Sequence, residues 1–177
     1  MSAPADAVRP CELPPEALLQ RYRASGAYAD CYTTTVGHAV SHADYVQAFY
    51  TTAVFKLERL ALRVFAARPS TDAQAAALAS GEAEAFAAWS VEARAPNQLL
   101  LCDFAQRTRS WLMVLPLETG TRLYFGSAVV PVRSRRSGAS RMGFGFTALL
   151  GFHKLYSRVL LSAARSRVTL LALKPTA

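Results

Sequence analysis

Residues 146–170, FTALLGFHKLYSRVLLSAARSRVTL, decide the fold of this chain. The pattern of the stretch predicts one long C-terminal amphipathic helix, which follows a run of strand-like segments. The apolar face of such a helix is expected to lie across an antiparallel sheet, because it must be buried against another element. This packing makes either a dry core or a ligand cavity, and that choice is the functional question for the molecule.

Five segments before this helix have the composition or alternation of β-strands, and turns separate the last four. They are residues 28–37, 85–94, 99–105, 109–117 and 121–131. Two helices are predicted after the first strand: one of about 24 residues over 42–65, begun by Ser41, and a short one that Thr71 begins and Gly81 ends. The fold class is therefore predicted to be α+β. Its helix-grip arrangement would lay the long C-terminal helix over an antiparallel sheet of about five strands.

The length and composition predict a single globular domain. Hydrophobic residues make up 52% of the 177 residues and charged residues 18%, which excludes a disordered chain. We assign a flexible tail to residues 1–12 and the domain to residues 13–177. The most apolar segment is interrupted by His153, Lys154 and Arg158, so we expect no membrane span. The acidic, proline-containing N-terminus does not fit an export signal.

The three cysteines, Cys11, Cys31 and Cys102, show no CxxC spacing and leave an odd count. This pattern predicts reduced thiols in a cytoplasmic protein, without a disulfide framework. Cys102 lies in an apolar, strand-like run, where it is expected to act as a small core hydrophobe.

The net charge of +8 is concentrated at the C-terminal end of the chain. Residues 132–177 carry nine Lys or Arg and no Asp or Glu, so the preceding residues sum to −1. The basic loop 132–143 supplies the candidate anion contacts Arg133, Arg135, Arg136 and Arg141, which would attract phosphate in nucleic acid, a lipid headgroup or a charged ligand. A solvated basic loop is the alternative. Because no readout motif accompanies the charge, we expect no sequence-specific nucleic-acid binding.

Motifs in the second half of the chain carry a resemblance to a known superfamily. They are the Leu-Leu-Leu strand at Leu99–Leu101, the Arg-Ser-Trp-Leu strand at Arg109–Leu112 and the sequence LGFHKL at Leu150–Leu155. Over roughly residues 28–168 the chain resembles the START-like superfamily, also called polyketide cyclase-like or SRPBCC, and in particular an uncharacterised bacterial branch of it. Fuller members of the superfamily have seven strands, whereas this chain is predicted to have about five.

The resemblance implies a hydrophobic cavity for a small or lipid-like ligand and does not imply a reaction. A two-residue turn in the first hairpin would place Cys102 opposite Trp111, and a second such turn would place Gly126 beside Met113. Large residues beside small ones suit a face that receives a ligand or the helix. The candidate cavity residues are Trp89, Phe104, Trp111, Met113, Tyr124, Phe152, His153 and Tyr156. Ordinary core packing is the alternative for each of them.

The sequence offers little support for catalysis. His153 could act as a base together with Asp103, but a structural histidine is the alternative, and strand parity argues against Asp103 pointing into the same pocket. His38 and His42 are four residues apart, yet Ser41 between them is predicted to be a helix cap, and no third ligand is near in sequence. We therefore assign no catalytic residue, no metal site and no cofactor.

Three functional hypotheses remain. The first is a carrier or sensor that binds a small hydrophobic molecule or lipid between the sheet and the terminal helix. The second is an interaction protein with a dry core, whose basic C-terminal region binds an anionic surface or a partner. The third is an enzyme of cyclase or hydratase type. We rank ligand binding first and the enzyme last, and the sequence leaves open both the ligand and the formation of a homodimer.

Overall fold

The structure is a computed structural model that describes residues 7–57, 70–130 and 144–173, the side chains of residues 144–153 excepted. The strands within these residues are β1 (Arg9–Pro10), β2 (Tyr28–Val36), β3 (Ala85–Phe86), β4 (Trp89–Ala95), β5 (Gln98–Asp103), β6 (Thr108–Leu117) and β7 (Gly120–Val129). The helices are α1 (Gln20–Ala24), α2 (His42–Tyr50), α3 (Asp72–Ser80) and α4 (Phe144–Ala172), and residues 53–57 are also helical.

The strands form one antiparallel sheet in the order β1-β2-β7-β6-β5-β4-β3. The α+β class and the C-terminal helix are as predicted, whereas the prediction of about five strands is wrong. The two additional strands, β1 and β3, have two residues each, too few for alternation to reveal them. β1 lies within the predicted tail 1–12 and pairs with β2. Ala87, with a φ of +53°, separates β3 from β4 inside the predicted strand 85–94.

The hairpin between β5 and β6 has a four-residue loop, residues 104–107, where the sequence predicts a two-residue turn. The carboxylate of Asp103 accounts for the difference. Its Oδ1 accepts hydrogen bonds from two backbone N–H groups at the end of the loop, 2.7 and 3.1 Å away, and such bonds are how aspartate stabilises turns. Leu100, and not Cys102, therefore lies opposite Trp111.

The hairpin between β6 and β7 has its turn at residues 118–119, whereas the sequence predicts a two-residue turn at 119–120. Gly126, expected beside Met113, consequently lies opposite Trp111. A Cβ atom on Gly126 would lie 2.9 Å from Cε3 of Trp111 and 2.9 Å from Cδ2 of Leu19. Glycine at this position therefore makes room for two large side chains on the same face of the sheet.

The long helix predicted over residues 42–65 is interrupted, because α2 ends before Thr51 and helix resumes at residue 53. The hydroxyls of Thr51 and Thr52 each donate to a backbone carbonyl of the preceding turn, at 2.7 and 3.0 Å. The Thr52 hydroxyl also accepts the N–H of Phe55 at 3.2 Å, which makes it the cap of the second segment. The predicted helical residues 58–65 lie outside the described part of the chain.

The structure confirms the helix starts that the sequence predicts from capping side chains. At the start of α2, the hydroxyl of Ser41 accepts the backbone N–H of Asp44 at 3.0 Å. At the start of α3, Thr71 and Gln74 form the reciprocal capping box. Gly81 ends α3 in the left-handed conformation that glycine adopts without strain.

Both faces of the sheet are covered. The helices α2, α3 and α4 pack on one face, here called the helix face. Its buried strand residues include Leu99, Leu101, Leu112, Val114, Leu123 and Phe125. The opposite face, here called the Trp111 face, includes Leu100, Trp111, Met113, Tyr124 and Ala128, which pack with Leu13, Ala17 and Leu19 of the N-terminal segment. The order of layers is therefore helices, sheet and N-terminal segment.

Gln98 fixes the N-terminal segment to the Trp111 face. Its Oε1 accepts the backbone N–H of Leu18 and the indole N–H of Trp111, each at 2.9 Å. Its Nε2 donates to the backbone carbonyl of Glu16 at 3.1 Å. Because Gln98 and Trp111 are both buried, these bonds satisfy polar groups that water does not reach.

The terminal helix α4 lies against α2, β2 and β7 on the helix face. The side chains that it buries there are Leu160, Leu161, Ala164 and Val168. Among the helices in the described part of the chain, none combines the length and apolarity that crossing a membrane requires. In this structure the helix serves to cover the sheet.

Candidate functional site

A cavity of about 480 Å³ lies between the helix face of the sheet and the helices above it. Its sheet wall is formed by β4, β6 and β7, and its helical wall by α2, residues 53–57 and α4. The lining residues are Phe49, Val54, Phe55, Leu57, Trp89, Thr108, Arg109, Ser110, Phe125, Ser127, Tyr156, Ser157 and Leu160. Carbon atoms make up most of this lining, so the cavity is suited to an apolar guest.

Aromatic rings form one side of the cavity. The ring centroid of Phe49 on α2 is 4.9 Å from that of Phe125 on β7. Phe55, which follows the interruption after α2, lies 6.2 Å from Phe49 and 4.8 Å from Tyr50 by the same measure. Strand alternation brings Phe125 to the helix face, and the apolar side of α2 brings Phe49 to meet it.

Two serines form a polar strip on the sheet wall. Ser110 and Ser127 lie opposite each other in the register of β6 and β7. The hydroxyl of Ser110 is 3.1 Å from the hydroxyl of Tyr50, and the hydroxyl of Ser127 donates to Oδ1 of Asp30 at 2.5 Å. Both serines are therefore engaged by protein groups, and the carboxylate of Asp30, which lies opposite Ser127 in the register of β2 and β7, places negative charge beside this strip.

Two polar atoms of the cavity wall have no hydrogen-bond partner within the described residues. They are the indole Nε1 of Trp89 and the hydroxyl Oγ of Ser157, and both atoms are buried. A buried polar group left without a partner costs about 1–3 kcal/mol. Both residues line the cavity, and a ligand whose polar atom reached either group would recover that free energy.

The predicted cavity residues divide into four groups. Trp89 and Tyr156 line the cavity. Phe104 lies in the β5–β6 loop with 60% of its surface exposed, so its assignment to the cavity is wrong. The side chains of Phe152 and His153 lie outside the described part of the chain.

The remaining three, Trp111, Met113 and Tyr124, are buried on the Trp111 face, on the other side of the sheet from the cavity. The expectation that they face the terminal helix is wrong. The physical reason is that the central strands are apolar on both faces, and the N-terminal segment covers the second one. Alternation alone therefore does not tell which face receives the helix.

Arg109 forms its ion pair with Glu92 and not with Asp103. The guanidinium Nε of Arg109 lies 2.5 Å from Oε2 of Glu92 and 2.8 Å from the hydroxyl of Tyr22. Tyr22 in turn donates to Oε1 of Glu92 at 2.5 Å. Burial raises the pKa of Tyr22, and its bond to the Glu92 carboxylate raises it further. The charge of Arg109 is therefore neutralised by Glu92, and the carboxylate of Asp103 holds its own loop.

The two histidines near α2 lie on either side of the helix cap. His42 is the first residue of α2, whereas His38 lies before the cap Ser41. Within the described residues, no three His, Cys, Asp or Glu side chains are grouped to hold a metal ion. Burial lowers the pKa of His42 from 6.5 to about 4, so its imidazole is neutral at pH 7.

The candidate anion contacts Arg133, Arg135, Arg136 and Arg141 lie outside the described residues. Of the basic residues that follow them, Lys154 and Arg158 are exposed on α4. They border a second, more polar groove of about 450 Å³, which also touches Cys11 and Cys31. Arg158 lies over the ring of Tyr32, 5.7 Å from its centroid.

Sequence reasoning missed the polar side of the cavity. Ser157 lies one residue after Tyr156, a predicted cavity residue, and a serine in the apolar part of a helix is the signal that indicates it. Ser110 and Ser127 share their strand faces with Leu112 and Phe125. They could have been found only after the helix face had been identified.

Comparison with known proteins adds no further residue to this site. The chain matches no protein-family model, no curated protein and no solved structure.

Proposed function

We propose that this protein binds a small, largely apolar molecule that carries a neutral oxygen, in the cavity between the sheet and the terminal helix. The observation that carries the proposal is an apolar cavity of about 480 Å³ whose wall holds two buried polar atoms that find no partner among the described residues. Its volume falls in the range of about 300–1,000 Å³ that is usual for ligand pockets. We propose the cytoplasm as the place where the protein acts.

The polar atoms of the wall indicate the chemistry of the ligand. The indole N–H of Trp89 is a donor only, so it requires an acceptor such as a carbonyl, ether or hydroxyl oxygen. The hydroxyl of Ser157 can donate to the same oxygen or accept from a ligand hydroxyl. An anionic group is disfavoured, because the guanidinium of Arg109 is already paired with Glu92 and the Asp30 carboxylate lies beside Ser127 on the cavity face of the sheet.

Two features support the proposal that this protein has a helix-grip fold of the START-like kind. The sheet has seven strands within the described residues, the number that fuller members of that superfamily have. The order of elements also agrees with that plan, since β2 is followed by helices, then by the strands β3–β7 and finally by α4. We propose binding and not catalysis, because Asp103, the suggested partner of a histidine base, is bound to the backbone of its own loop.

The first test is native mass spectrometry of the protein purified from cells, followed by titration with a matched series of decanol, decanal, decanoate and decane. Retention of a small molecule and thermal stabilisation by the neutral oxygen compounds are the expected results. Decanol and decanal should bind more tightly than decane, which lacks a hydrogen-bonding group, and than decanoate, which is charged.

Two variants locate the binding site. Ser157→Ala and Trp89→Phe should each weaken decanol about fivefold, since one hydrogen bond contributes about 1 kcal/mol. Trp111→Phe is the matched control, because Trp111 is buried on the opposite face, and it should leave the affinity unchanged. The proposal fails if no member of the series stabilises the protein, or if Trp111→Phe weakens binding as much as Trp89→Phe does. Salt-sensitive binding to anionic vesicles without any cavity ligand would favour the basic C-terminal region instead.

A further inference from the structure

Two of the three cysteines lie side by side at the edge of the sheet. The register of β1 and β2 pairs Arg9 with Thr33 and Pro10 with Tyr32, so the next residue, Cys11, lies opposite Cys31. The backbone N–H of Cys11 donates to the carbonyl of Cys31 at 3.0 Å. Their Sγ atoms are 3.1 Å apart.

This geometry suits a covalent bond between the two sulfur atoms. Opposite residues of an antiparallel pair that share a hydrogen bond have Cα atoms about 5.5 Å apart, inside the range of about 4.4–6.8 Å that disulfides span. The two sulfur atoms have to approach from 3.1 Å to the bond length of about 2.05 Å, and rotation of the two side chains is the motion that would bring them together.

We propose that Cys11 and Cys31 are a redox-controlled pair whose disulfide fastens the N-terminal segment to the Trp111 face of the sheet. The proposal is independent of the ligand cavity, which lies on the other face. It revises the expectation of three simple reduced thiols, since reduced and oxidised states would both be populated as the surroundings change.

The two thiols differ in exposure and in pKa, as a stepwise reaction with an external oxidant requires. Cys11 is half-buried and borders the polar groove together with Lys154 and Arg158, whereas Cys31 is buried. The hydrogen bond between the thiols lowers the pKa of Cys11 and raises that of Cys31. Cys11 is therefore the thiol that forms a thiolate and is reached from outside.

The oxidant in this proposal is a small-molecule disulfide, RSSR. The Cys11 thiolate attacks one sulfur of RSSR and releases one RS⁻, which leaves a mixed disulfide on Cys11. Cys31 then attacks the Sγ of Cys11, and its proton passes to the departing RS⁻, which leaves as the thiol RSH. Two protein thiols are oxidised by two electrons in total, and one RSSR is reduced to two thiols.

The disulfide would act on the segment that follows Cys11. Leu13, Ala17 and Leu19 of this segment pack on the Trp111 face, and Gln98 binds its backbone. Closing the covalent loop from Cys11 to Cys31 restricts the conformations of the unfolded chain, which raises the stability of the folded state.

The test uses the full-length protein, first reduced completely and then equilibrated with mixtures of oxidised and reduced glutathione. After the thiols are trapped with N-ethylmaleimide in denaturant, mass spectrometry and peptide mapping should find a Cys11–Cys31 link, with Cys102 alkylated. The oxidised protein should melt about 6–12 °C higher than the reduced protein, from the loop-closure entropy of a loop of about 20 residues.

Two variants make the result decisive. Cys11→Ser changes a half-buried position only mildly and should abolish the shift in melting temperature on oxidation. Cys102→Ala, at the third cysteine, should keep it. The proposal is overturned if no Cys11–Cys31 link forms at any glutathione ratio, if Cys102 is the residue that becomes linked, or if the link forms without a change in melting temperature.

Discussion

Replacing Gly126 with alanine should destabilise the protein by overpacking the Trp111 face. The new Cβ would lie 2.9 Å from each of three atoms: the backbone O of Asp30, Cδ2 of Leu19 and Cε3 of Trp111. The first belongs to the paired strand β2, and Trp111 and Leu19 are completely buried, so none of the three can move away freely. Overpacking of this kind costs about 1–3 kcal/mol, and the rigid surroundings favour the upper end of that range.

The net effect is smaller than this cost, because alanine also restricts the unfolded chain. That term stabilises the variant by about 0.4–1 kcal/mol. The free energy of unfolding should therefore fall by about 2 kcal/mol, and the melting temperature by about 4–8 °C. Urea denaturation followed by circular dichroism measures the first quantity, and calorimetry the second.

Gly37→Ala is the matched control, because a Cβ at Gly37 would meet no atom within 4 Å. It should change the free energy of unfolding by no more than about 0.5 kcal/mol. In a Leu19→Ala background the cost of Gly126→Ala should become smaller, since one of the three contacts is then absent. If Gly126→Ala is as stable as Gly37→Ala, the close packing inferred for this face is refuted.

Three further predictions concern buried polar groups. The His42 pKa of about 4 lies below its unfolded value of 6.5, so stability should fall by up to about 3 kcal/mol as the pH drops from 6.5 to 4. His42→Gln should remove that part of the decline in urea titrations across this range. Gln98→Ala leaves the indole N–H of Trp111 and one backbone N–H unpaired, which should cost about 2–4 kcal/mol and speed hydrogen exchange in residues 16–22. Glu92→Gln removes the carboxylate from the largely buried Arg109 and should cost about 2 kcal/mol in the same urea assay.

Features that depend on neighbouring residues could be predicted from the sequence. The caps at Ser41 and Thr71 follow from hydroxyl side chains three residues before a matching partner. The long strands follow from alternation and from the turns between them. The interruption after α2 is also a local feature, marked by the pair Thr51–Thr52. This pair lies inside an otherwise continuous apolar stripe, and the stripe predicts an unbroken helix.

The register and the choice of face depend on longer-range contacts. One carboxylate, that of Asp103, lengthens a loop by two residues and so shifts the pairing of β5 with β6. The shift is even, so it preserves which residues share a face, and Trp111 still lies with Met113. The sequence does not show which element covers the Trp111 face, because the terminal helix and the N-terminal segment are both apolar enough to pack on it. Two of the eight predicted cavity residues, Trp89 and Tyr156, therefore line the cavity, whereas four lie elsewhere in the structure.

The two outermost strands of the sheet, β1 and β3, bear on how copies of this protein can associate. An exposed strand edge is a template on which a second chain can add a strand, and proteins limit this risk with short edge strands, proline and bulges. Here each outer strand has two residues, Pro10 in β1 has no N–H to donate, and the pairing of β4 is irregular between Val91 and Ala93. Strand addition and amyloid-like growth are therefore disfavoured at both ends of the sheet. If two copies associate, they are expected to meet through side chains on helices or loops, with each sheet remaining separate.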